Sequence, residues 1–127
     1  MKRMKMNLSL VFLVMIILLY RQEVLANKSA TSIEVPEHIA KGSEITIRVT
    51  VTHNGNNFMH HAKWLQVMVN GKEIARWDYT MTHLPEGGTF TKEIKYKAEG
   101  DFEIKAEASC NIHGSAGPST AKVLVKE

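Results

Sequence analysis

The chain has one cysteine, Cys110, in 127 residues. A single thiol cannot close an internal disulfide, so it pairs with another chain, lies buried and inert, or binds something. The sequence also lacks an apolar run long enough for a membrane span. Its one candidate, Leu8 to Tyr20, has the length of a signal-peptide core and falls short of the ~20 residues a spanning helix needs. No cysteine stands where the signal would be cut and no Arg-Arg pair precedes the run, which speaks against a lipoprotein and against twin-arginine export. Helical periodicity is almost absent after residue 26, and there are no internal repeats or low-complexity segments. An excess of one charge is missing too. The formal net charge of +3 belongs to the N-terminus, where Lys2, Arg3 and Lys5 start the chain and the small residues of "VLA" (24–26) suit a signal peptidase. Residues 1–26 read as a signal peptide, and 27–127 as one small domain that is periplasmic or otherwise exported. That domain holds 12 basic and 12 acidic residues. Zero net charge gives no ground for a nucleic-acid partner, nor for a membrane partner once the signal is removed.

What is present is alternation. "EITIRVTVT" (44–52) puts Ile45, Ile47, Val49 and Val51 on one face and polar residues on the other, the pattern of a half-buried strand. "AKWLQVMVN" (62–70) is apolar on both faces and predicts a central strand. "NG" (70–71) signals a two-residue hairpin turn into "EIARWDYT" (73–80). "TFTKEIKYK" (89–97), "FEIKAEAS" (102–109), "TAKVLVK" (120–126) and a short "SIEV" (32–35) complete the set. About seven short strands with turn signals every 8–12 residues predict an all-β fold, an immunoglobulin-like antiparallel β-sandwich.

The domain's six histidines are His38, His53, His60, His61, His83 and His113. His53 directly follows "ITIRVTVT", whose inward residues are odd-numbered. Cys110 directly follows "FEIKAEAS", whose inward residues are even-numbered. Each continues the inward register of its strand. In such a sandwich the loop after the second strand and the loop before the last one share an end. His53 and His60 then meet Cys110 and His113. Three imidazoles and a thiol at one end suit iron, copper or zinc better than calcium or magnesium. A lone buried cysteine is as a rule a small core hydrophobe, and a loop histidine is as a rule solvated. The convergence of four such groups outweighs that reading. His61 and His83 are read as non-ligands, and Trp64 and Trp77 as core or rim packing.

These stretches resemble a known family. "CNIHG" (110–114) is similar to the Cys-Asn-x-His-Gly motif of the desulfoferrodoxin and neelaredoxin superoxide reductases. "HNGNNFMHHAKW" (53–64) resembles that family's first loop, with one histidine before a polar stretch and a second, here His60, four residues before an aromatic, Trp64. The resemblance covers most of residues 27–127. It implies a mononuclear ferrous iron with four equatorial histidines, one axial cysteine thiolate and a sixth position open to superoxide. By matching, His53, His60 and His113 are equatorial and Cys110 is axial. Superoxide takes one electron and two protons and leaves as hydrogen peroxide, and an external donor protein returns the electron. The second, cysteine-rich iron centre of some members is absent here.

The family carries its first histidine in a Glu-Lys-His stretch near the start of the first strand. The only candidate here is His38 in "VPEHIAKG", preceded by Glu37 in place of the lysine. With a turn centred near Gly42, the residue opposite His53 is near Thr31 or Ser32. His38 then lies about six residues from the site end, or ~20 Å at ~3.3 Å per residue. The expectation is a site of three histidines and one cysteine, completed by water, by His61 or by nothing from the protein.

Two other classes compete. A cupredoxin-like copper electron carrier also ends with a Cys-x-x-His loop, but no methionine follows His113, Pro118 stands where one is expected, and Met59 is the nearby substitute for the axial ligand. A non-metal carrier or binding sandwich would leave Cys110 as a free or covalently loaded thiol. An edge strand leaves room for a homo-oligomer, which no residue pattern demonstrates.

Overall fold

The computed structural model describes residues 28–127. The signal peptide expected over residues 1–26 lies outside the described residues. Eight strands follow in chain order: β1 (Ala30–Glu34), β2 (His38–Ala40), β3 (Glu44–Thr52), β4 (Ala62–Val69), β5 (Lys72–Asp78), β6 (Thr89–Lys97), β7 (Phe102–Cys110) and β8 (Ser119–Lys126). They form two sheets, one ordered β1-β3-β6 and the other β2-β8-β7-β4-β5. The all-β sandwich is as expected. The eighth strand, β2, is an addition, and it pairs parallel with β8 where the remaining ladders are antiparallel.

Alternation sets which residues face inward. In β3, Ile47, Val49 and Val51 are fully buried, while Thr46, Arg48 and Thr50 turn outward along the nine-pair ladder with β6. β7 supplies Ile104, Ala106 and Ala108 from the facing sheet, and β4 supplies Leu65 and Val67. A one-residue slip of β3 would expose its three fully buried side chains, at about 1.5–3 kcal/mol each. That cost fixes the register at the strand exit, where His53 follows. The Asn70–Gly71 turn has φ of 49° and 79°, as the two-residue hairpin between β4 and β5 requires.

Two features depart from simple alternation. The turn at Lys41–Gly42 is present, but it joins β2 of the second sheet to β3 of the first. It is not a hairpin between β1 and β3. Pro36 has no N–H to continue a ladder, and the segment Val35–Glu37 carries the chain across to β8, where Leu124 N–H donates to Glu37 O at 2.9 Å. The expected partner of His53 is therefore corrected. β1 pairs with β3 as Ala30–Thr52 and Thr31–Val51, so Ser29, not Thr31 or Ser32, is next to His53 in register. The second departure is a β-bulge. Ala62 opposes Cys110 and Trp64 opposes Ser109, which leaves Lys63 as the extra residue. The bulge reverses the alternation at the start of β4, so Ala62 is fully buried and Lys63 faces solvent. Bulges re-aim side chains in this way at sheet ends.

Candidate metal centre

The donors lie at one end of the sandwich, where β3 and β7 exit and β4 enters. His53 and Cys110 are buried, at 3% and 4% exposure, as the register of their strands predicts. The donor atoms of His53, His60 and Cys110 all lie within 4.8 Å of one another. His113 Nδ1 faces His60 Nε2 at 3.1 Å and Cys110 Sγ at 3.8 Å. All four residues singled out from the sequence are thus brought together. His60 sits between the other two imidazoles, with ring centroids 4.6 Å from His53 and 4.9 Å from His113, both edge-on. Its pKa is held below the ordinary histidine value, first by burial and then by the neighbouring rings of His53, His113 and His61. Neutral imidazoles are what a metal needs, since only their lone pairs can ligate.

Three asparagines that the sequence reading gave no role build the site. Asn56 Oδ1 accepts the Ala62 N–H at 2.7 Å, so it also acts as acceptor toward His53 Nδ1 at 3.0 Å. That places the His53 proton on Nδ1 and leaves Nε2 with its lone pair free. Nε2 is buried and has no hydrogen-bond partner among the described residues. That buried nitrogen belongs to a residue grouped with the Cys110 thiol and the His60 imidazole, and its unpaired state fits a metal ligand. Asn57 Oδ1 accepts from the N–H groups of Met59 and His60 at 3.0 and 2.9 Å, while Asn57 N–H donates to His60 O at 2.8 Å. This tight turn presents the His60 ring. Asn111 joins the two loops. Its Oδ1 accepts from His61 N at 3.0 Å, its N–H donates to His61 O at 3.0 Å, and its Nδ2 donates to Met59 O at 3.0 Å.

The cysteine turn is itself shaped for an anion. Cys110 and Gly114 exchange both backbone hydrogen bonds, at 2.9 and 3.2 Å. Gly114 adopts φ 76°, a conformation that side chains disfavour. The closed turn aims the N–H groups of Ile112 and His113 at Cys110 Sγ, each at 3.4 Å. Two N–H donors on one sulfur suit a thiolate ligand. On the other side, His53 N–H donates to Gly88 O at 2.7 Å. A Cβ on Gly88 would meet His53 O at 3.0 Å, so this glycine lets the β6 side of the site approach His53 closely.

The other histidines lie elsewhere. His61 is 6% exposed and donates from Nδ1 to Asn57 O at 3.1 Å, outside the donor cluster. His83 stacks on Tyr79 with centroids 6.0 Å apart. His38 pairs with Leu124, beyond the Phe102–Val123 pair at the start of β7. That is at least eight residues from Cys110, or ~26 Å along the strands, and His38 is at the opposite end. Trp77 packs against the core beneath Lys92, and Trp64 lies half-buried beneath Arg76. Met59 is 67% exposed and is not placed as an axial ligand.

The desulfoferrodoxin family model matches residues 21–115. The chain belongs to the desulfoferrodoxin family. Superoxide reductase (neelaredoxin) from Ignicoccus hospitalis has a similar structure, with TM-score 0.61 and 21% identity over 78% of this chain and 82% of that one. A putative superoxide reductase from Thermotoga maritima is similar with TM-score 0.54 and 24% identity, over 77% of this chain and 86% of that one. The sulfur carrier protein SoxY from Chlorobium limicola shares the fold at TM-score 0.50 and 14% identity, over 76% of this chain and 79% of that one. No curated protein matches the chain. Because a sulfur carrier shares the sandwich, the fold alone leaves the chemistry open. The desulfoferrodoxin match spans both loops, from His53 to His113, and it leaves the copper reading unsupported. The donor set of this desulfoferrodoxin fits iron: imidazole nitrogens and one cysteine sulfur, with His53 and Cys110 at strand ends and His60 and His113 in the adjoining loops.

Proposed function

We propose that this chain is an exported one-iron oxidoreductase that reduces superoxide to hydrogen peroxide. One observation carries the reading: the donor atoms of His53, His60 and Cys110 lie within 4.8 Å of one another, in a chain whose family match includes them. His53, His60, His113 and Cys110 would hold the iron. When bound, it would supply one electron to superoxide, which gains two protons and leaves as hydrogen peroxide.

The chain's own residues prepare that chemistry. Asn56 fixes the His53 tautomer, so its ligating nitrogen is committed before metal arrives. The Ile112 and His113 N–H groups donate to Cys110 Sγ and would temper how strongly that sulfur donates to a metal. Lys28, half-buried, directly precedes the site end of β1, and Lys63 is lifted outward by the bulge. Both bring positive charge to the end an anionic substrate must approach. The chain has no second cysteine for a second thiolate-held centre, so each turnover draws its electron from an external donor protein. The N-terminal signal would place this activity in the periplasm or outside the cell.

Metal analysis with an optical spectrum of the oxidised protein tests the reading. Iron with a thiolate-to-iron charge-transfer band supports it, together with peroxide formed from superoxide. Copper with an intense visible thiolate band would replace it with the carrier reading. A metal-free protein after expression in iron-replete medium would leave only a non-metal binding sandwich.

A further inference from the structure

The three imidazoles form an arc, not a closed ring. His60 stands between His53 and His113, and the sector from His113 back to His53 holds no imidazole in the donor cluster. The backbone of Ser29 spans that sector. On one side its N–H donates to Gly114 O at 3.3 Å and its O accepts from Ala116 N at 2.9 Å, which ties it to the His113 loop. On the other side it is the next residue of β1 beyond the Ala30–Thr52 pair, beside His53. Its side chain shares the parity of Thr31, whose Oγ1 points across the sandwich to Ala106 O at 2.9 Å and Ser119 Oγ at 2.7 Å. Ser29 therefore faces inward at the metal end. It is 0% exposed, and its Oγ has no hydrogen-bond partner among the described residues. Two buried polar atoms are thus orphaned where β1 and β3 meet the cysteine loop: Ser29 Oγ and His53 Nε2.

A buried hydroxyl without a partner is destabilising unless something fills its hydrogen bonds. Serine is too short to ligate from a strand position that suits an imidazole. Its oxygen ends one bond from Cβ, where an imidazole Nε2 ends three bonds away. One water at hydrogen-bond distance from Oγ, ~2.8 Å, can bridge the gap that leaves.

Resting on the reading of this site as a metal centre, we propose that Ser29 is a positioning residue that closes the donor ring with a held water. Three imidazoles and one cysteine sulfur would then hold the metal, with solvent oxygen as the further donor. Such a centre would take up metal less tightly than a four-imidazole one, because a solvent oxygen replaces an imidazole nitrogen.

The test is cobalt(II) titration of the full-length, metal-free chain, read by its visible and charge-transfer bands and by thermal melting with and without cobalt. Ser29→His supplies the missing donor. It should tighten cobalt(II) binding about 10-fold or more and shift the visible bands, since a nitrogen replaces an oxygen. Ser29→Ala should melt at or above the wild-type temperature without metal, because an orphaned hydroxyl is gone. It should also bind cobalt(II) about 10-fold more weakly, because the water loses its partner. A structural role alone would move both melts in the same direction. The proposal is overturned if Ser29→His folds and binds with wild-type affinity and spectrum, or if Ser29→Ala leaves the cobalt affinity unchanged. Should Ser29→His not fold, the Ser29→Ala arm decides alone. The underlying metal reading fails differently: wild type then shows no cobalt thiolate band at all.

Discussion

Asn56→Ala probes the step by which the protein commits His53 to ligation. Asn56 makes three side-chain hydrogen bonds: Oδ1 accepts from His53 Nδ1 at 3.0 Å and from Ala62 N at 2.7 Å, and Nδ2 donates to Gly87 O. Truncation leaves the Ala62 N–H without its partner beneath a residue that is 0% exposed. A stranded buried donor costs about 1–3 kcal/mol. Gly87 O lies in a loop, where water can replace the lost donor. His53 loses its tautomer lock, which costs metal affinity about 10–100-fold. The expected result is a metal-free protein destabilised by about 2–3 kcal/mol in urea unfolding, and cobalt(II) affinity lower by at least 10-fold. Asn56→Asp keeps an acceptor for both Ala62 N and His53 Nδ1 and should recover most of the affinity. Asn57→Ala is the comparison for stability in the same loop. Its bonds to Met59 and His60 N–H are exposed, so it should cost under about 1 kcal/mol. If Asn56→Ala binds cobalt(II) as wild type does, the tautomer of His53 is not set by this contact and the reasoning fails.

Other perturbations test separate parts of the structure. Cys110→Ala should abolish the thiolate charge-transfer band of the metal-loaded protein, whereas His38→Ala, at the far end of β8, should leave metal content unchanged; loss of metal in the latter would contradict the observed strand pairing. Gly88→Ala drives a Cβ against His53 O and should cost about 1–3 kcal/mol in unfolding, with weakened metal binding because His53 moves. Tyr79 is raised to about 12, first by burial and then by the charge of Glu86, so its neutral form is favoured in the fold. Its contribution is complete below the ordinary tyrosine pKa of about 10 and is lost as pH rises through about 12. Alkaline difference absorbance should show one tyrosine ionising late. Its hydroxyl has no hydrogen-bond partner among the described residues, so Tyr79→Phe should match or exceed wild-type stability by up to about 1 kcal/mol, and a large loss would show that the hydroxyl is bonded.

Much of the site was legible because parity within a strand is a local property. "EITIRVTVT" and "FEIKAEAS" each bury one face, and that alone aims His53 and Cys110 inward. The hairpin at Asn70–Gly71 is equally local. What the sequence concealed depends on contacts between elements. β2 leaves its neighbour for β8 because Pro36 breaks the ladder, yet "VPEHIAKG" reads as a simple turn. The bulge at Lys63 follows from the fit of β4 against β7, and nothing in "HAKWLQ" shows it beyond the conflict of burying a lysine. Asn56 and Asn57 look like ordinary loop residues until the loops meet, and the motif that contains Asn111 does not reveal that it ties the two loops together. The error over β1 had one cause: counting back from a turn assumes that both arms pair with each other.

The placement of the donors has an energetic consequence that the sequence of strands explains. His53 leaves β3 in the first sheet, Cys110 and His113 follow β7 in the second, and His60 lies in the loop that leads from β3 into β4. A metal held by these four would tie one sheet to the other at the end where neither has a covalent cross-link. At a free metal concentration of 100 times its Kd, such a ligand stabilises the folded state by about 2.7 kcal/mol. That is within the range of a disulfide, about 2–4 kcal/mol, in a domain whose lone cysteine cannot form one internally. The thiol that could not staple the sandwich by oxidation would do so by ligation, and the same bond would set the chemistry of the site.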